Sequence, residues 1–299
     1  AERDGIAGLG GGALFRLLAE HGEDAGDTLL GNGGDDQFQL GGAAGLLDGG
    51  AGIDSVNFGS GGTLVVDSDG DGLAEFVETS AGVQVNLISG FMSDGFGNGG
   101  TIANVENIDG TEFDDFLVGD NGANTLNGLG GADLIQGRGG DDVIRGGDGD
   151  DHLAGESTSS SYNGPFGNDM LFGEGGDDLL RGGAGTDSFD GGEGFDRVSF
   201  FTRAATQGAV ANLITQTISN DGFGNAETMV SIEALGAGTA FADHLTGDNN
   251  ANLLLAEMGD TIIANGGDDR FQLGGAPALL NGGAGIDTIA GFSGSAGSL

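Results

Sequence analysis

Through the middle of this chain an aspartate returns at every ninth residue. Read in nines from Gly110, the sequence runs GTEFDDFLV, GDNGANTLN, GLGGADLIQ, GRGGDDVIR and GGDGDDHLA. The sixth places are Asp115, Asn124, Asp133, Asp142 and Asp151, and after an insert at 157–166 the beat resumes with Asp169, Asp178, Asp187 and Asp196. Carboxylates on such a beat, set among glycines that leave backbone carbonyls open, make a donor set of oxygen alone. Ca²⁺ takes six to eight oxygens at about 2.3–2.6 Å, whereas Mg²⁺ keeps its waters and demands a stricter octahedron. Zinc wants nitrogen or sulfur, which these turns lack. The chemistry that fits is the binding of several Ca²⁺ ions.

The spacing also defines the elements that carry the carboxylates. Glycines at places one, two and four permit positive φ and close backbone approach, so the first six residues form a tight turn. The last three alternate, with one apolar side chain pointing inward from a short strand. That eighth place holds Leu117, Leu126, Ile135, Ile144, Leu153, Leu171, Leu180, Phe189 and Val198. Nine residues are half a coil, so turn n lies beside turn n+2 and the strands stack into two parallel sheets. One edge then carries Asp115, Asp133, Asp151, Asp178 and Asp196, and the other Asp142, Asp169 and Asp187. Two flanking runs contribute Asp36 with Asp54, and Asp269 with Asp287, while Asp243 and Asp260 hold similar places before the second run. Asn124, Asn252, Gly45 and Ala278 depart from the pattern, so binding there is expected to be weak or absent.

The consensus GGxGxDxUx resembles the RTX (repeats-in-toxin) nonapeptide of secreted bacterial proteins, a Ca²⁺-binding repeat. The resemblance implies an all-β fold, a right-handed parallel β-roll or β-solenoid, with ions between successive turns along each edge. It also implies that the chain folds on meeting calcium after export, outside the cell or on its surface.

A separate motif lies at 67–78. DSDGDGLAEFVE places Asp67, Asp69 and Asp71 at the first, third and fifth positions of a calcium loop, with Glu78 at the twelfth and Glu75 competing for the same role. The flanks TLVV and EFVET favour strands over helices. Residues 82–126 and 208–254 parallel each other; alternation in VQVNLI and TIANVENI predicts strands buried on one face, in wider coils joined by DGFGN turns. Asp94 and Asp221 in those turns are read as turn formers. The expected organisation is a lead-in at 1–21, repeat blocks at 22–58, 110–199 and 238–299, and wider coils at 59–109 and 200–237. ALFRLLAE near the N-terminus has the propensity for a helix. Because 13–64 and 250–299 echo each other, the chain is expected to be part of a longer tandem array.

Composition narrows the partners. Among 299 residues there are 47 acidic and eight basic side chains, for a formal charge of −39, and no cysteine. About ten Ca²⁺ ions would offset roughly half of that charge. Nucleic acid is a poor partner for this sign of charge, and no apolar run has membrane-spanning length. HExxH, GxSxG and phosphate-cradling motifs are absent, and the histidines at 21, 152 and 244 are scattered, so no catalysis is expected. The expectation is a structural calcium-binding segment of a large secreted or surface bacterial protein, of adhesin, surface-layer or matrix type. Further copies of itself or other repeat modules, end to end, are its expected partners. The alternative is a non-catalytic module of a secreted hydrolase or polysaccharide epimerase.

Overall fold

A computed structural model describes residues 5–7, 14–16, 28–40, 44–58, 64–66, 75–77, 82–93, 98–156, 165–200 and 204–292. The chain divides into two units, Ala1–Gly149 and Asp150–Leu299. Both are all-β, and among the described residues there is no helix.

In the first unit one sheet runs, in spatial order, Gly5–Ala7, Thr28–Leu30, Leu46–Asp48, Gly99–Ala103, Phe91–Ser93, Gln84–Asn86, Phe116–Val118 and Leu134–Arg138. The other runs Leu14–Arg16, Gln37–Gln39, Ser55–Asn57, Asn107–Thr111, Thr125–Gly130 and Val143–Asp148. Successive repeats alternate between the sheets, and partners within a sheet lie eighteen residues apart, as in Leu117↔Ile135 and Leu126↔Ile144. The second unit repeats the design: Leu180↔Val198 pair in one sheet and Leu171↔Phe189 in the other. This is the parallel β-roll that the nine-residue period predicts.

Each repeat strand turns its middle apolar side chain inward. Leu117, Leu126, Ile135 and Ile144 are all 0% exposed, as are Leu171 and Leu180 in the second unit. A fully buried leucine contributes about 1.5–3 kcal/mol, which is thin support for nine ordered residues.

Two local features differ from expectation, and a third agrees with it. Leu14–Arg16 is a strand paired in parallel with Gln37–Gln39, so sheet pairing overrides the helical propensity of ALFRLLAE. The segments read as wider coils are antiparallel meanders instead. Gln84–Asn86, Phe91–Ser93 and Gly99–Ala103 pair antiparallel in succession, with the outer two strands parallel to their repeat neighbours. Val210–Asn212, Thr217–Asn220 and Glu227–Val230 do the same in the second unit. A short loop after a strand such as QVN can only send the chain back beside itself, because a parallel return needs a long crossover. The predicted one-sided burial holds, with Val85, Met92 and Ile102 at most 1% exposed. Third, Leu64–Val66 and Glu75–Val77 form an antiparallel pair, so the acidic stretch between them is flanked by strands. Asp67, Asp69, Asp71 and Glu78 lie outside the described residues, as does the side chain of Glu75.

Candidate metal centre

The sixth place of each repeat sits at the turn-to-strand junction, with its side chain folded under the turn. Asp36, Asp54, Asp115, Asp133, Asp142, Asp151, Asp169, Asp178, Asp187, Asp196, Asp243, Asp260 and Asp269 are all at most 3% exposed. Asp287 is half-buried. Glycine at place one makes this possible. A Cβ on Gly128 would lie 1.9 Å from Asp133 Oδ2, so no side chain fits there. Place two takes positive φ, at +118° in Gly147 and even at +82° in Leu129.

Neighbouring carboxylates are strung on a ladder of backbone hydrogen bonds. The N–H of a place-six residue donates to Oδ1 of its counterpart in the next turn of the same edge. Asp36 donates to Asp54 at 2.8 Å, Asp115 to Asp133 at 2.7 Å, Asp151 to Asp178 at 2.8 Å and Asp178 to Asp196 at 2.9 Å. On the opposite edge of the second unit, Asp169 donates to Asp187 at 2.8 Å. Asp243 to Asp260 (2.9 Å), Asp269 to Asp287 (3.2 Å), Asn124 to Asp142 (2.8 Å) and Asn252 to Asp269 (2.9 Å) follow the same rule.

What the other oxygen meets separates the positions. Oδ2 of Asp54, Asp178, Asp196 and Asp269 is buried and accepts no hydrogen bond. At Asn124 the equivalent group is an amide. Its Nδ2 donates to the Glu106 carbonyl at 3.0 Å, and its Oδ1 accepts from the Asp120 N–H at 2.8 Å. Asn252 repeats the arrangement with the Glu233 carbonyl (3.3 Å) and the Asp248 N–H (2.8 Å). Asparagine thus supplies its own donor to a neighbouring carbonyl, whereas aspartate leaves acceptor beside acceptor. A buried acceptor without a donor costs about 1–3 kcal/mol, more when charged. A cation bound to Oδ2 removes that cost, so the residues fit calcium by the chemistry of their donors.

Asp115 and Asp243 are satisfied differently. Asp115 accepts from the Val83 N–H (2.6 Å), the Thr111 N–H (2.6 Å) and Thr111 Oγ1 (3.0 Å). Asp243 accepts from the Ala209 N–H (2.7 Å) and Thr239 Oγ1 (2.6 Å). Asp260 takes Asp243 on one oxygen and the Glu257 N–H, at 2.6 Å, on the other. At these three no orphaned oxygen calls for an ion.

Burial, opposed by backbone donors, pushes Asp115, Asp178 and Asp196 up to about 6. Asp54, Asp260 and Asp269 are raised for the same leading reason, with neighbouring aspartates adding to it.

Three glutamates belong to the same columns and escape the nonapeptide pattern. Pairing of Ser55 with Asn107, Arg197 with Ala234 and Ser188 with Thr228 puts Glu106, Glu233 and Glu227 in register with Asp54, Asp196 and Asp187. The Asp54 N–H donates to Glu106 Oε2 (2.8 Å) and the Asp196 N–H to Glu233 Oε2 (3.0 Å), as to an aspartate. The signal that could have found two of them is the internal repeat, since VENI and SIEAL each set a glutamate before a strand in 82–126 and 208–254. A second, outer ladder links place-five residues, for example Asp177 Oδ1 accepting from the Phe195 N–H at 2.9 Å. Asp221 is a turn former: its Oδ1 accepts from Phe223, Gly224 and Asn225, and its Oδ2 from Asn225 Nδ2. His152 and His244 are exposed on the outer strand face, and Asp94 and His21 lie outside the described residues.

Buried carboxylates on successive turns, cradled by glycine and with a donorless oxygen at Asp54, Asp178, Asp196 and Asp269, define a calcium-binding repeat protein. The chain matches the RTX calcium-binding nonapeptide repeat in four copies, at residues 104–135, 127–158, 166–198 and 279–295. It carries RTX calcium-binding repeats folded as a β-roll. No curated protein matches it. No helix among the described residues is long and apolar enough to cross a membrane.

Proposed function

We propose that this chain is a structural segment of a large secreted or cell-surface bacterial protein, of adhesin, surface-layer or matrix type, and that calcium folds it after export. It is not itself a catalyst in this reading. The observation that carries the proposal is the contrast at place six between aspartates with a donorless buried Oδ2 and asparagines that donate for themselves. Asp36, Asp54, Asp133, Asp142, Asp151, Asp169, Asp178, Asp187, Asp196, Asp269 and Asp287, with carbonyls of the glycine turns, would hold the ions. Calcium there supplies positive charge between carboxylates that otherwise repel. Because the folded turns bind calcium and the expanded chain does not, each ion adds to stability by mass action. Low calcium keeps the chain extended, and high calcium closes it.

Far-ultraviolet circular dichroism during a calcium titration tests this. Strand signal is expected to rise cooperatively with Ca²⁺, to vanish in chelator and to respond poorly to Mg²⁺. Full strand signal in chelator would overturn the proposal.

A further inference from the structure

The second unit contains a carboxylate pair that the nonapeptide pattern does not account for. Glu227 opens the last strand of the 208–230 meander, outside the segments that match the repeat. It stands in register with Asp187, in the final turns before the meander begins. Asp169, Asp187 and Glu227 are at most 5% exposed. Register sets the two carboxyl groups side by side, and the Asp187 N–H donates to the Glu227 carboxylate. Glu227 Oε1 is buried and accepts no hydrogen bond. A small cavity of about 30 Å³ adjoins it, lined also by Asp221, Phe189, Phe200 and Arg181. Arg181 Nε is buried without a hydrogen-bond acceptor, and burial, then the like charge of Arg197, holds its guanidinium below its usual range. Asp221 is already committed to the 221–225 turn. Two buried carboxyl groups side by side must share either a proton or a cation.

We infer that Glu227 and Asp187 hold a divalent cation, Ca²⁺ in a calcium-rich medium, and that this ion fastens the meander to the repeat turns. The inference rests on the calcium reading above and extends it to a residue outside the repeats. Across the parallel pairing of Ser188–Glu193 with Glu227–Val230, an ion at this corner joins the two elements where their backbone register starts. Glu156 supplies more acceptor charge nearby. It is 7% exposed, it accepts from the Gly167 N–H (3.2 Å) and the Ala184 N–H (3.0 Å), and it feels Asp169 and Asp187.

The test is Glu227→Gln, which keeps size and packing and mimics a protonated carboxyl. Bound ions are counted by native mass spectrometry, and hydrogen exchange is read strand by strand. The expected variant binds one ion fewer than the wild type, or binds one about tenfold more weakly. In calcium, Val210–Asn212, Thr217–Asn220 and Glu227–Val230 exchange faster, while the turns of Asp178 and Asp196 keep wild-type protection. An unchanged ion count, unchanged affinities and unchanged exchange would mean a shared proton and overturn the inference. If Glu227→Gln does not fold, Glu227→Asp replaces it: one weakened ion supports the inference, and wild-type affinities throughout overturn it. A wild-type chain that binds no calcium would instead overturn the proposed function, a separate result.

Discussion

At Asn124 a side-chain amide donates to the Glu106 carbonyl, while at Asp54, two turns away along the same edge, the equivalent oxygen has no donor. One atom therefore decides whether a turn closes by itself or waits for an ion. Buried place-six aspartates set a pH dependence whose sign can be worked out. Asp115, Asp178 and Asp196 rise from 3.8 to about 6, chiefly through burial. A raised carboxylate binds its proton more tightly in the folded state, so its stabilising contribution is complete below the unfolded value and is lost as pH climbs through 6. Chelated protein should thus gain strand signal between pH 7 and pH 4. In calcium the order reverses, because ligand carboxylates must be ionised, and the calcium midpoint should rise as pH falls. Dichroism at fixed calcium across that range checks both.

At the scale of elements, the roll tolerates a strand that runs the wrong way. Phe91–Ser93 lies antiparallel between two parallel neighbours, yet Met92 is 0% exposed, and a Cβ on Gly100 would come within 3.0 Å of its Cε. Met92→Ala should cost about 2–5 kcal/mol through the cavity it leaves, read as a lower melting temperature in saturating calcium. The paired repeats were legible from residues alone because glycine at one, two and four and aspartate at six recur at fixed spacing. The division of columns between edges followed from nine being half a coil. The meanders were not legible, because alternation in VQVNLI and TIANVENI reports burial and not strand direction. Glu106 and Glu233 were hidden for a related reason: they reach the ladder with a longer side chain and without the glycines that mark a turn. Glu227 carried no such local mark, and only strand register reveals it.

For the whole molecule, a formal charge of −39 sets the terms. The apolar interior is narrow, one or two side chains per strand, and carboxylates are buried beside it instead of facing water. Such a chain expands through self-repulsion unless cations neutralise it. The calcium account therefore makes the fold conditional on the ion, turn by turn. The most direct test is anomalous diffraction from crystals grown in calcium. The account predicts peaks beside the donorless oxygens of Asp54, Asp178, Asp196 and Asp269, with none between the Asn124 amide and the Glu106 carbonyl or between Asn252 and Glu233. Well-ordered turns with no anomalous density at those four aspartates would contradict it.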